Sequence, residues 1–102
     1  MPLVIFRSRL RADIDMTALE ALGARMAELA TAMPGFVSYK DYAAADGESV
    51  TLVEFADDES LLVWREHPEH RVAQQRARDE FMSWYRIDVC GRQRAHEWGH
   101  GG

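Results

Sequence analysis

Val53-Glu54-Phe55-Ala56-Asp57-Asp58-Glu59-Ser60-Leu61-Leu62-Val63-Trp64-Arg65-Glu66-His67-Pro68-Glu69-His70 holds a strand end, a helix start, a large aromatic and a break into a second helical run. Val50 to Phe55 is rich in β-branched and apolar residues, the composition of a buried strand. Asp57 or Asp58 can cap the helix that follows, because a carboxylate accepts its first free amide hydrogens and opposes its dipole. Leu61 and Trp64 stand three apart and share a face of that helix. Pro68 has no amide hydrogen and pushes His67 out of the α region, so the helix stops or kinks there. A second helical run, Glu69 to Trp84, is expected next.

On the N-terminal side, Leu3 to Leu10 begins as an apolar run and ends in alternation, the pattern of a strand. Asp13 or Asp15 can cap the next segment. From Met16 to Met33, Leu19, Leu22, Met26, Leu29 and Met33 recur at spacings of three and four, which predicts an amphipathic helix. Pro34-Gly35 ends it. Phe36 to Tyr42 alternates as a second strand, Asp46-Gly47 marks a turn, and Ser49 to Phe55 returns antiparallel as a third. Tyr85 to Cys90 alternates as a fourth. Beyond Gly91 the chain is rich in Gly, His and Arg without period, so residues 1–92 read as one domain and 93–102 as a flexible tail.

The order β-α-β-β-α-β predicts an α+β, ferredoxin-like fold: a four-stranded antiparallel sheet with helices on one face. Its strands carry apolar residues at both parities, Val4 and Phe6 against Leu3 and Ile5, Leu52 against Val53 and Phe55. Both faces of the sheet thus need cover. Helices supply one side. The same face of a second copy is the simplest cover for the other, so a homodimer is expected, two sheets closing a dimeric α/β barrel.

With 102 residues there is room for one core, and a 47% apolar fraction with three Trp argues for a packed domain. A net charge of −5 disfavours nucleic acid and anionic membrane surfaces as partners. The single Cys90 excludes an intramolecular disulfide and fits a reducing, cytoplasmic setting. No apolar run approaches the ~20 residues that span a bilayer, and no signal-peptide pattern opens the chain.

A strand ending in an aromatic, then an acidic cap, then a Trp nine positions after the aromatic (Phe55 to Trp64) resembles the antibiotic biosynthesis monooxygenase (ABM) family of the dimeric α/β barrel superfamily. Trp64-Arg65-Glu66-His67-Pro68-Glu69-His70-Arg71 is similar to that family's Trp, kinked helix and basic start of the next helix. Met33-Pro34-Gly35-Phe36 is similar to its helix-to-strand junction. The resemblance covers roughly residues 2 to 92.

It implies a small-molecule cavity between sheet and helices beside Trp64, which Phe6, Ser8, Tyr39, Phe55, Gln74, Phe81 and Trp84 could also line. It implies further a cofactor-independent monooxygenase that oxidises an aromatic or quinone-like compound with dioxygen, the substrate supplying the electrons. The haem-degrading relatives of that superfamily use an Asn on the first strand, the Trp, and a His on the later helix. Ser8 and Gln74 stand at those two positions here, so haem chemistry of that kind requires His67 or His70 as iron ligand instead.

Two histidines, His67 and His70, flank Pro68 and are the candidate general bases or metal ligands, since imidazole titrates near neutrality. The bland alternative is that one caps a helix end and the other faces solvent. Trp64 is either core or a pocket wall. His96-Glu97-Trp98-Gly99-His100 fits the zinc pattern H-E-x-x-H. Gly99, the terminal glycines and the lack of a downstream ligand speak against a helical metal site, so no metal is expected there. Arg71, Arg76 and Arg78, with Asp79 and Glu80 near, read as a solvated salt-bridged face. Three classes therefore stand: a monooxygenase, a haem or hydrophobic-ligand carrier using the same cavity, and a dimeric scaffold with a filled core.

Overall fold

The computed structural model describes residues 1–99. Its elements are β1 (Pro2–Leu10), α1 (Met16–Ala32), β2 (Phe36–Ala43), β3 (Ser49–Phe55), α2 (Asp58–Arg65), α3 (Pro68–Arg76) and β4 (Met82–Gly91). A π-helical turn, Ala77–Phe81, joins α3 to β4. The strands form one antiparallel sheet in the order β2-β3-β1-β4. This is the ferredoxin-like α+β arrangement that the element order predicts.

Local chemistry explains the boundaries. Of the two candidate caps for α1, Asp15 serves, its carboxylate accepting the Ala18 N–H at 3.0 Å. Asp57 does the same for α2 through the Ser60 N–H at 2.7 Å. Gly47 turns the β2–β3 hairpin at φ +91°, and Glu48 N–H is held by the Asp46 carboxylate.

One boundary departs from the periodicity. The helical run expected to reach Trp84 ends at Phe81, and Trp84 lies in β4. Phe81 and Trp84 stand three apart, which mimics a helix face. The ladder to β1 decides instead, pairing Arg9 with Trp84 and Leu10 with Met82. Arg11 fixes the junction, its amide donating to the Phe81 carbonyl and its guanidinium to the carbonyls of Arg78, Asp79 and Met82. The extra residue of the π turn lets Phe81 turn inward, where it is fully buried.

Register fixes the two faces of the sheet. Val4 pairs with both Val53 and Val89, Tyr39 with Val53, and Phe6 with Ile87, so these side chains share the helix side. The core gathers there: Ala30, Val53, Phe55, Leu61 and Trp64 are buried, and Phe36 packs edge-on against Phe55 at 6.0 Å. The opposite face carries Ile5 beside Leu52, Tyr42 beside Val50, and Arg7 stacked over Trp84 at 5.5 Å.

No helix among the described residues is long and apolar enough to cross a membrane. Among them, no group of three or more His, Cys, Asp or Glu is arranged to hold a metal ion. His96 and Glu97 lie in a segment without helix or strand, and His100 of the H-E-x-x-H pattern lies outside the described residues.

The α1–β2 junction locks onto the start of α2. Gly35 sits at φ +81°, and a Cβ there would lie 2.2 Å from Ser60 Oγ and 2.6 Å from Ser60 Cβ. Its carbonyl accepts the Ala56 N–H at 2.7 Å. Gly35→Ala should therefore cost about 2 kcal/mol or more, from the left-handed backbone and the overlap together. Urea denaturation measures this, and an unchanged midpoint would show that the junction tolerates a side chain.

Candidate functional site

Between the sheet and the helices lies a cavity of about 220 Å³. Its floor is Val4, Phe6, Tyr39, Val53, Ile87 and Val89 from the strands. Leu19, Leu22, Gly23 and Met26 of α1 form one wall, and Leu61, Trp64, His70, Ala73 and Gln74 of α2 and α3 another. Phe81 and Met82 close the end where α3 passes into β4. The lining is mostly apolar, with Tyr39, His70 and Gln74 as its polar members and Arg65 exposed at the rim.

The His70 ring lies flat on Trp64, centroids 4.1 Å apart and planes 13° from parallel. Its Nδ1 lies 3.1 Å from the Trp64 carbonyl oxygen. A carbonyl can only accept, so Nδ1 carries the proton and the neutral ring keeps its lone pair on Nε2. Pro68 explains why that carbonyl is available. In a continuous helix the Trp64 oxygen would take the amide hydrogen of residue 68, and proline has none. Burial lowers the His70 pKa from its ordinary 6.5, with the charges of His67 and Arg65 adding to it and the Trp64 hydrogen bond opposing. At neutral pH the ring is therefore uncharged.

His67 has a different task. Its Nδ1 accepts the Glu69 N–H at 3.1 Å and caps α3, with Pro68 in the first helical turn. It is not among the cavity residues. Tyr39, on β2, has its phenol pushed up to about 12 by burial and the charge of Asp41, so it remains an O–H donor at any ordinary pH.

Of the residues expected to line the pocket, the cavity brings together Trp64, Phe6, Tyr39, Gln74 and Phe81. Three lie elsewhere. Ser8 is buried on β1 beyond the cavity's end, paired with Ser49 and Tyr85. Phe55 is enclosed in the core against Phe36. Trp84 falls on the opposite sheet face because the residue belongs to a strand and not to a helix. Arg76 pairs with Glu80 at 2.8 Å, and Arg78 binds Gln75 and Tyr85, both outside the cavity. The α1 wall was legible only as an apolar stripe, and Gly23 within it carries the one unusual signal, a glycine mid-helix.

The sequence model of the family described as antibiotic biosynthesis monooxygenase matches residues 1–76. The chain is 31% identical over 66 residues to the uncharacterized protein YqjZ of Bacillus subtilis (strain 168), a match covering 65% of this chain and 58% of that protein. Rv0793 from Mycobacterium tuberculosis superposes with a TM-score of 0.81 at 25% identity, over 95% of this chain and 100% of that one. A variant of SnoaB, a cofactor-independent oxygenase from Streptomyces nogalater, superposes at 0.78 with 14% identity, over 92% and 94%.

Because folding lowers the His70 pKa, the unfolded chain binds that proton more tightly than the folded one. The contribution is at its full value above about pH 6.5. It is lost as pH falls from there through the lower folded value. Urea unfolding followed between pH 7.5 and 5.5 should show this loss, and His70→Phe, which keeps a flat ring on Trp64, should show less of it. An identical pH slope in the two proteins would mean that His70 ionises freely in the fold.

Proposed function

This chain belongs to the antibiotic biosynthesis monooxygenase family, and from that membership and the chemistry of its cavity we propose that it is a small cofactor-independent monooxygenase. Its substrate is an aromatic phenol or hydroquinone, and its oxidant is dioxygen. The observation that carries the proposal is the imidazole of His70: stacked on Trp64, pinned through Nδ1, uncharged, and set in the wall of an apolar cavity.

In this mechanism His70 Nε2 removes the phenolic proton, while the flat wall of Trp64 and Phe6 holds the ring. The Tyr39 hydroxyl donates to the phenolate oxygen. The electron-rich anion then reduces dioxygen directly, and the oxygen adds at a ring carbon bearing hydrogen. Loss of water leaves a carbonyl, so a phenol with a free para C–H and one O₂ give a quinone and one H₂O. The protein's share is to hold the anion, exclude water and take the proton. A cavity of 220 Å³, below the ~300 Å³ at which drug-sized pockets begin, favours a compact aromatic over a haem macrocycle.

His70→Gln should lower oxygen-dependent turnover about 10²-fold while leaving the fold intact. His67→Gln should leave turnover near wild type and cost about 1 kcal/mol of stability through the lost cap. Oxygen uptake on a panel of phenols and hydroquinones reads both. Equal turnover in wild type and His70→Gln would remove the imidazole as base.

The same proposal includes a homodimer. Ile5, Leu52, Val50 and Tyr42 form an apolar strip on the sheet face without helices, with the Arg7–Glu48 and Arg92–Glu54 pairs near it and Trp84 beyond Arg7. Light scattering at micromolar concentration should give about twice the 11.6 kDa of one chain. Ile5→Asp should shift the protein toward the single-chain mass, and a wild-type monomer would leave the strip without this explanation.

A further inference from the structure

α1 meets the cavity through Leu19, Leu22, Gly23 and Met26, the i, i+3, i+4 and i+7 positions of one helix face. Three of these are large and apolar. The fourth has no side chain. Glycine inside a helix is less favourable than alanine, so its presence calls for a physical reason.

Neither packing nor backbone supplies one. A Cβ built on Gly23 meets no atom within 4 Å, in contrast to the overlap at Gly35. Gly23 is also not one of the glycines with positive φ. What distinguishes the position is the cavity, which it lines while being itself exposed. Ile87 and Val89 of β4 also line the cavity and are 45% and 50% exposed. These exposed lining residues mark where the cavity meets solvent.

An apolar cavity of about 150 Å³ holds one benzene ring. At 220 Å³ this one takes a ring and part of a second, and the open space beside Gly23 extends it. We propose that Gly23 is a specificity-determining residue: the side chain it lacks leaves room, on the inward face of α1, for the second ring of a two-ring phenol. The proposal rests on the cavity being the site of an aromatic ligand. It goes further by naming the ligand's size and the residue that sets it.

The test measures the affinities of phenol and 1-naphthol by calorimetric titration in wild type, Gly23→Ala and Gly23→Leu, with melting temperatures. Gly23→Ala should melt about 4 °C higher, as an unstrained glycine replacement in a helix would. It should keep its 1-naphthol affinity within about threefold. Gly23→Leu should bind 1-naphthol about tenfold or more weakly, with phenol little changed. If Gly23→Leu does not fold, Gly23→Met is read for the same ratio, and failure of both means the space is not open and the proposal is wrong. An unchanged ratio of the two affinities, or a lower melting temperature for Gly23→Ala, overturns it as well. Wild-type protein that binds neither probe sinks the ligand site and this proposal together. Binding of 1-naphthol without oxygen uptake sinks the monooxygenase reading and leaves the role of Gly23 standing.

Discussion

The missing amide hydrogen of Pro68 is the constraint on which the site depends. It ends α2 at Arg65, puts a bend between the two helices, and leaves the Trp64 carbonyl without its helical partner. The backbone recovers part of that loss, since His67 N–H donates to the same oxygen at 3.1 Å. His70 supplies the rest from its ring, which is what lays the imidazole flat on the indole. One residue type at one position therefore fixes the tautomer, the orientation and the burial of a titratable group two residues downstream. Moving Pro68 by one residue would free a different carbonyl, on another side of the helix.

A second constraint is that the space above the sheet is not filled. Large side chains come from the strands, from α2 and from Leu19, Leu22 and Met26 of α1, while Gly23 of α1, Ala73 of α3 and Ala77 of the π-helical turn are small. Small residues on helices facing aromatics on a sheet leave volume that close packing would otherwise remove. An apolar cavity forfeits dispersion contacts along its walls. A scaffold with a filled core would have no use for that cost, and a ligand that returns the contacts would account for it.

The fold was legible because its signals are local: caps at Asp15 and Asp57, the stripe of α1, the glycine turns and Pro68. The end of α3 was not. The spacing of Phe81 and Trp84 is equally good for a helix, and only the ladder to β1, formed by residues more than 70 positions away, settles it. The candidate site was half legible for the same reason. Trp64 and the two histidines stand out in the sequence, but which imidazole caps and which enters the cavity depends on the bend angle. Ser8 and Phe55 lie on plausible strands and yet miss the cavity, because strand parity tells the face and not the distance along it.

The proposed proton transfer from a phenol to His70 faces an energetic gap. A phenol titrates near 10 and an imidazole near 6.5, so the transfer is uphill by about 5 kcal/mol even before the environment acts. Burial of His70 widens the gap, since it lowers the base further. A neutral imidazole thus meets the requirement of being unprotonated and fails, alone, to generate the phenolate. The second group must stabilise the anion without competing for its proton. Tyr39, pushed up to about 12, is a weaker acid than a simple phenol, so in the proposed mechanism its hydroxyl would donate to the phenolate and keep its own proton. One aligned donor of this kind is worth about 3 kcal/mol in a site that excludes water. The remainder falls to the substrate: a hydroquinone or naphthol whose extended ring spreads the charge ionises more readily than a plain phenol. The two environments push the two pKa values apart, which keeps His70 unprotonated and Tyr39 protonated at neutral pH, the states a base and a hydrogen-bond donor need.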